Sequence, residues 1–171
     1  MKPTVIDDFI PNDIFKGLQK TICSNKFTFN VITNVDAQPG AIKQEDYWSW
    51  YLIHMVYWND TPYSELFQPL YNEFIPRFKK LGLFKSLLRI KVNAFPSTSV
   101  VHEHNKHIDY SYNHIGAVFS LNTCDGYTKL KDDTKVDSVA NRLLIFDASQ
   151  THQSTTTSTS KLRYNINFNL L

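Results

Sequence analysis

Cysteine is scarce. The 171 residues hold two, Cys23 and Cys124, far apart and in no CxxC arrangement. That gives no disulfide framework or cysteine-rich zinc pattern, and both are read as free thiols in a reducing compartment, with a disulfide or metal role as the alternative. An excess of charge of one sign is also missing. Eighteen Lys and Arg stand against 16 Asp and Glu, a formal net charge of +2. With the two signs interspersed, no basic stripe marks a nucleic-acid or membrane partner. No apolar run approaches membrane-span length. The start, Met1-Lys2-Pro3-Thr4, carries no apolar signal region. The expectation is a soluble, cytoplasmic protein. No internal repeat is visible. One biased segment, STTTSTS at 154–160, is expected to form a surface turn or strand edge.

What is present is apolar and aromatic substance. Hydrophobic residues make up 42% and aromatics 14%, enough for a sizeable core. The length suits one domain over 1–171. Two helices are expected in the first half. Pro11 can open the first, with Ile14, Leu18 and Ile22 recurring every four residues. The second is expected to start at Pro69, to show one face through Leu70, Phe74, Phe78 and Leu81, and to end at Gly82. Pro76 inside it should kink or split it. From residue 87 onward the texture turns to short strands, at 87–94, 115–121, 127–130, 142–146 and 162–170. Asn122, Asp125-Gly126, Asp132-Asp133 and Asn141 supply turns. Helices first and strands after predict a mainly β fold, an antiparallel barrel or sandwich buttressed by N-terminal helices.

Among six histidines only His107 has an acid two positions on, in His107-Ile108-Asp109. In extended backbone, residues two apart share a side, so one imidazole and one carboxylate can reach one ion. His152, from a later strand, would complete a facial set of three and leave positions open for substrate and O₂. A chance surface His-Asp pair remains the plain alternative. His102-Glu103-His104 is a competing cluster, read as a polar loop near the site mouth. His54 and His114 read as structural. Trp48, Trp50, Trp58 and nearby tyrosines read as core, with a substrate groove as the alternative.

The last segment, 162–170, alternates. Tyr164, Ile166, Phe168 and Leu170 fall on one face; Arg163, Asn165, Asn167 and Asn169 fall on the other. Guanidinium and carboxamide groups in that number suit a polar pocket lining better than open solvent. Arg163 is suited to bidentate capture of a carboxylate.

Taken together, His107-x-Asp109, His152 and Arg163 resemble the 2-oxoglutarate/Fe(II)-dependent dioxygenases, in particular the prolyl 4-hydroxylase-like group with its small phage versions. The resemblance runs from about residue 5 to residue 171. Val5-Ile6-Asp7-Asp8-Phe9-Ile10-Pro11 is similar to that group's entry into its first helix. Arg89-Ile90-Lys91-Val92-Asn93-Ala94-Phe95-Pro96 is similar to the strand ahead of the HxD motif. Ser120-Leu121-Asn122 and Asn141-Arg142-Leu143-Leu144-Ile145-Phe146-Asp147 match later barrel strands. The resemblance implies a double-stranded β-helix (jelly roll) with helices on one sheet. It implies iron(II) on His107, Asp109 and His152, and 2-oxoglutarate with its distal carboxylate on Arg163. Asn165 stands where many relatives place a Ser or Thr that assists the arginine. Phe95 and Ser120 stand where relatives often carry tyrosines that touch the co-substrate. Asp125-Gly126-Tyr127-Thr128 stands in place of a frequent Gly-Gly-Glu-Thr. The implied reaction takes O₂ and 2-oxoglutarate to succinate and CO₂ and hydroxylates a C–H bond, a prolyl or other protein side chain first. The competing readings are a catalytically silent jelly-roll module and a nucleic-acid or small-molecule oxygenase of the same superfamily. Asp109 disfavours a halogenase, since such relatives usually lose this carboxylate.

Overall fold

The computed structural model describes residues 1–33 and 47–171. Its organising element is the alternating last segment. As β11 (Leu162–Leu170) it lies between β5 (Leu87–Pro96) and β6 (Ile115–Ser120), antiparallel to both. Both faces of this central strand are buried, and the sequence supplies one for each environment. Ile166, Phe168 and Leu170 pack beneath the helices; Arg163, Asn165, Asn167 and Asn169 are buried on the other side. β6 continues the sheet to β9 (Leu143–Asp147) and β1 (Thr4–Ile6). On the far edge β5 pairs with β3 (Tyr51–Trp58), which pairs with β2 (Asn30–Ile32) and β4 (Thr61–Pro62). A second sheet orders β10 (His152–Gln153), β7 (Tyr127–Leu130) and β8 (Lys135–Asp137). Residues of both sheets line one polar interior, the arrangement of a double-stranded β-helix.

The helices α1 (Asn12–Ile22) and α2 (Phe67–Lys80) cover the outer face of the large sheet. Phe9, Phe74, Phe78, Phe119 and Phe168 meet there, with ring centroids 4.7–6.4 Å apart. Edge and tilted contacts of this kind add to the area they bury. Four strands, β1 to β4, precede residue 87, where the sequence predicts only helices. In the helices three further details differ. In α1 the buried face runs through Phe15, Leu18 and Ile22, and Ile14 is exposed. α2 starts at Phe67 and continues unbroken through Pro76. Pro76 is on the solvent side, as is Asn72, whose carbonyl the proline leaves unbonded, so water can satisfy it. Leu81 closes that helix as an exposed residue rather than extending its buried face.

The run at 154–160 is also corrected. Thr155, Thr156 and Thr157 are fully buried, while Ser158 and Thr159 are exposed. Hydroxyls make that burial possible by replacing water. Thr155 Oγ1 accepts from the Tyr127 N–H at 2.9 Å, Thr156 Oγ1 accepts from the His102 N–H at 2.8 Å, and Thr157 Oγ1 donates to Asp125 at 2.7 Å. Among the described residues no helix is long and apolar enough to cross a membrane. Cys23 and Cys124 are free thiols.

Candidate active site

His107 and His152 are brought together by the backbone. They form an isolated antiparallel bridge, with His107 N–H to His152 C=O at 3.0 Å and the reverse bond at 2.9 Å. Their rings lie 4.5 Å apart. Asp109 follows in a bend rather than in extended chain, so the side-sharing expected of a strand is achieved by a turn. Ligand atoms of His107, Asp109 and His152 all lie within 4.8 Å of one another. His152 Nε2 stands 4.0 Å from Asp109 Oδ2. The Nδ1 of His107 meets the Asn105 carbonyl at 3.2 Å, and that of His152 meets the Gln150 carbonyl at 3.1 Å. A carbonyl only accepts, so each Nδ1 carries the proton and each Nε2 keeps its lone pair. Two neutral imidazoles and one carboxylate are a donor set suited to iron(II).

Asp109 is held firmly. Arg89 Nη2 donates to Oδ1 at 2.7 Å, and Asn169 Nδ2 donates to Oδ2 at 2.8 Å. Arg89 Nε also donates to Asn169 Oδ1 at 3.0 Å, closing a three-residue ring. Burial opposes ionisation of Asp109. Arg89, His152, Lys91 and Asn169 outweigh it and hold the carboxyl well below the usual range. Arg89 thus takes one oxygen and leaves the other facing His152. Nothing in the local motif announced this partner, which lies 20 positions earlier in the sequence.

A polar cleft, open to solvent, begins at the triad. Its walls include Tyr51, Lys91, Asn93, Phe95, Thr128 and Asn165. Behind them lies Arg163, 1% exposed, its guanidinium carbon 5.4 Å from the Phe95 ring. Arg163 Nη2 donates to Thr128 Oγ1 at 3.0 Å and Nη1 to the Thr155 carbonyl at 3.3 Å, but Nε has no partner. Gly126 makes room for it: a Cβ there would stand 2.6 Å from Arg163 Cδ and 2.7 Å from the Thr156 carbonyl. Asn165 accepts from Asn93 Nδ2 at 2.9 Å. Ser120 is buried opposite Asn165 in the β6–β11 register, on the same face of the sheet. Tyr51, stacked on Phe95 at 5.5 Å, brings a phenol to the cleft where Phe95 has none. From sequence the tyrosines near Trp48 and Trp50 read as core with a groove as the alternative, and for Tyr51 the alternative holds; no pattern in 47–58 separates wall from core.

The other histidines take no part in the triad. His54 is satisfied by the Thr28 carbonyl at 2.8 Å and Ser64 Oγ at 2.7 Å. His114 Nδ1 meets the Tyr112 carbonyl. His102 stacks on Trp48 at 4.7 Å. His104 is fully buried against Phe95, with Nδ1 2.9 Å from Ser154 Oγ, so the polar-loop expectation fails there.

No protein-family model matches the chain, and no curated protein matches it by sequence. Solved structures do. A prolyl-4-hydroxylase from Pseudomonas putida aligns over 98% of this chain and 91% of its own, with a TM-score of 0.65 and 15% identity. A 2OG-Fe(II) oxygenase family oxidoreductase from Burkholderia pseudomallei aligns over 98% and 84%, with a TM-score of 0.68 and 10% identity. A Trichoplax adhaerens prolyl hydroxylase, in complex with a hypoxia inducible factor peptide fragment, aligns over 98% and 83%, with a TM-score of 0.59 and 14% identity. The fold is that of the 2OG-Fe(II) oxygenases.

Burial gives this oxygenase fold a defined acid sensitivity. It pushes the His104 ring down to about 3, helped by the charge of Arg163, and the His152 ring down to about 4, helped by His107. Unfolded histidine titrates near pH 6.5. Both rings therefore bind protons more weakly in the folded chain. Their contribution is complete above about pH 6.5 and is lost as pH falls toward 4. Asp109 adds a loss only below the ordinary carboxylate range. In metal-free protein the urea midpoint should be level near pH 7 and fall below about pH 6.5. The slope should approach two protons, roughly 3 kcal/mol per pH unit. His104→Phe should cut that slope by about half. A midpoint independent of pH between about 4.5 and 6.5 would show that both rings ionise freely in the fold.

Proposed function

We propose that this protein is a non-haem iron(II), 2-oxoglutarate-dependent dioxygenase that hydroxylates a C–H bond. In this reading His107, Asp109 and His152 bind the iron, and Arg163 receives the distal carboxylate of 2-oxoglutarate. The observation that carries it is the convergence of the metal donors at a cleft whose wall residues Phe95 and Thr128 contact a buried guanidinium. The two-imidazole, one-carboxylate set opens on the cleft, and the guanidinium behind its wall keeps an unused Nε–H. The residues fit both groups. Bound iron would let O₂ split 2-oxoglutarate to succinate and CO₂ and convert C–H to C–OH. The chain's own task is positioning. The backbone bridge aligns the two Nε2 atoms, Arg89 and Asn169 fix Asp109, and Thr128 links the cleft wall to Arg163.

The favoured primary substrate is a protein side chain, with prolyl first. Support comes from the names of the similar structures, two of them prolyl hydroxylases and one holding a peptide. The test incubates iron(II), 2-oxoglutarate and proline-containing peptides with the enzyme. Expected are succinate and a peptide heavier by one oxygen, both absent for His107→Ala. An iron-loaded wild-type protein that forms no succinate would be a silent jelly-roll module instead. Turnover confined to nucleic acid or free metabolites would remove the protein-substrate assignment alone.

A further inference from the structure

Lys91 is the charged side chain in the cleft that the proposed chemistry leaves unused. It points inward from β5, opposite Asn167 of β11 and one inward-facing position along from the Arg89/Asn169 pair that holds Asp109. The spacing between those positions is about 7 Å. Its Nζ lies 5.4 Å from the Tyr51 ring, on the β3 wall. Among the described residues it makes no hydrogen bond or ion pair. Burial first, and then the charge of Arg89, push its ammonium down to about 8. Asp109 acts on it through space but is hydrogen-bonded to Arg89 and Asn169, so a desolvated cation of this kind still gains from an anion in direct contact.

Charge counting gives the same direction. Arg89, Lys91 and Arg163 face the interior against one carboxylate, Asp109. A divalent ion adds two positive charges and 2-oxoglutarate brings two negative ones, so an excess of two positive charges remains. Asn93 and Asn167 each present a buried side-chain carbonyl oxygen without a donor in the same cleft. A ligand matching these walls carries an anionic oxygen pair for Lys91 and an N–H for the carboxamides.

We infer that Lys91 is a specificity-determining residue that binds a carboxylate of the primary substrate, close to the carbon that is oxidised. This deepens the dioxygenase reading and rests on it. The carboxylate belongs to an acidic residue beside the target in a peptide or to a free amino acid, and the probes separate the two.

The test uses the enzyme loaded with iron(II) and 2-oxoglutarate under nitrogen, so that binding is read without turnover. Metal content and succinate formation in air are measured separately; their absence would defeat the dioxygenase reading and leave the binding result legible. The peptide probes are labelled, end-capped Gly-X-Pro-X-Gly with X as Glu, Gln or Lys, followed by anisotropy. L-Glutamate and L-glutamine serve as competitors. Wild-type protein should favour the Glu peptide over the Gln peptide by about 10-fold or more, as a charge-assisted hydrogen bond allows. Lys91→Met should bring that ratio near one, and Lys91→Glu should favour the Lys peptide. Displacement by L-glutamate but not L-glutamine, lost in Lys91→Met, supports the inference with a free amino acid as the source. Equal binding of charged and neutral probes, or binding of none, overturns it. So does a Lys91→Met protein that keeps its selectivity but needs more 2-oxoglutarate, since Lys91 would then serve the co-substrate.

Discussion

Replacing Arg163 with methionine should raise the 2-oxoglutarate requirement by at least about 30-fold while iron binding persists. The guanidinium is 1% exposed, and of its donor atoms Nη1 and Nη2 are engaged by Thr155 and Thr128 while Nε is unpartnered. Burial lowers its proton affinity, as expected for a cation taken out of water without a counter-charge. A dicarboxylate reaching it supplies that counter-charge. Truncating one partner of such a buried pair costs roughly 2–5 kcal/mol of binding. No second cation stands beside Arg163 among the described residues. Tyr51 offers a neutral phenol and Ser120 a neutral hydroxyl. The free protein should respond differently. Methionine deletes an incompletely paired buried charge, so the ligand-free variant should be about as stable as wild type or more so. What it should lose is the stabilisation by added 2-oxoglutarate, about 3 kcal/mol for wild type at 100 times the dissociation constant. Arg163→Lys should fall between, because a point charge replaces a two-pronged donor. Thermal melts with and without 2-oxoglutarate, beside titration of uncoupled succinate formation, give the comparison. An unchanged titration in Arg163→Met would place the distal carboxylate elsewhere.

The two parts of the site that were legible in the sequence were written as local patterns. In β11 the alternation of Arg163, Asn165, Asn167 and Asn169 with apolar residues exposes both the strand and its polar pocket face. His107-x-Asp109 is short enough to be seen as a unit. The rest was not local. Arg89 and Lys91 look like solvent-facing strand residues until β5 is placed at the barrel wall, where the same alternation turns them inward. The segment Tyr51–Trp58, YLIHMVYW, is nearly continuous in apolar and aromatic residues, so its period distinguishes neither strand from helix nor wall from core. Thr155 to Thr157 are polar by composition yet buried by tertiary hydrogen bonds that no window of sequence contains. Pro76 broke a rule of helix interiors that a solvent-facing position excuses.

Asp109→Ala and His107→Ala should both abolish tight iron binding, but only the first should also weaken the metal-free fold. Removing any one of three donors leaves two, too few to hold a first-row ion against water. The two residues differ in what else depends on them. The Nδ1 contact of His107 to the Asn105 carbonyl lies at an exposed position, and water can replace it. Asp109 neutralises Arg89 across 2.7 Å, and both side chains are largely buried. Its loss leaves Arg89 without a counter-charge and Asn169 without an acceptor for its amide. Breaking a buried pair from one side costs roughly 3–5 kcal/mol. Chemical denaturation of the metal-free proteins should therefore separate the variants by about that amount, with His107→Ala within about 1 kcal/mol of wild type. The double variant Asp109→Ala/Arg89→Met should recover much of the lost stability, because the stranded charge goes with its partner. It should recover none of the iron binding. A single Asp109→Ala as stable as wild type would mean that Arg89 finds water or another acceptor when the carboxylate is gone. The three-residue ring would then position the ligand without supporting the barrel.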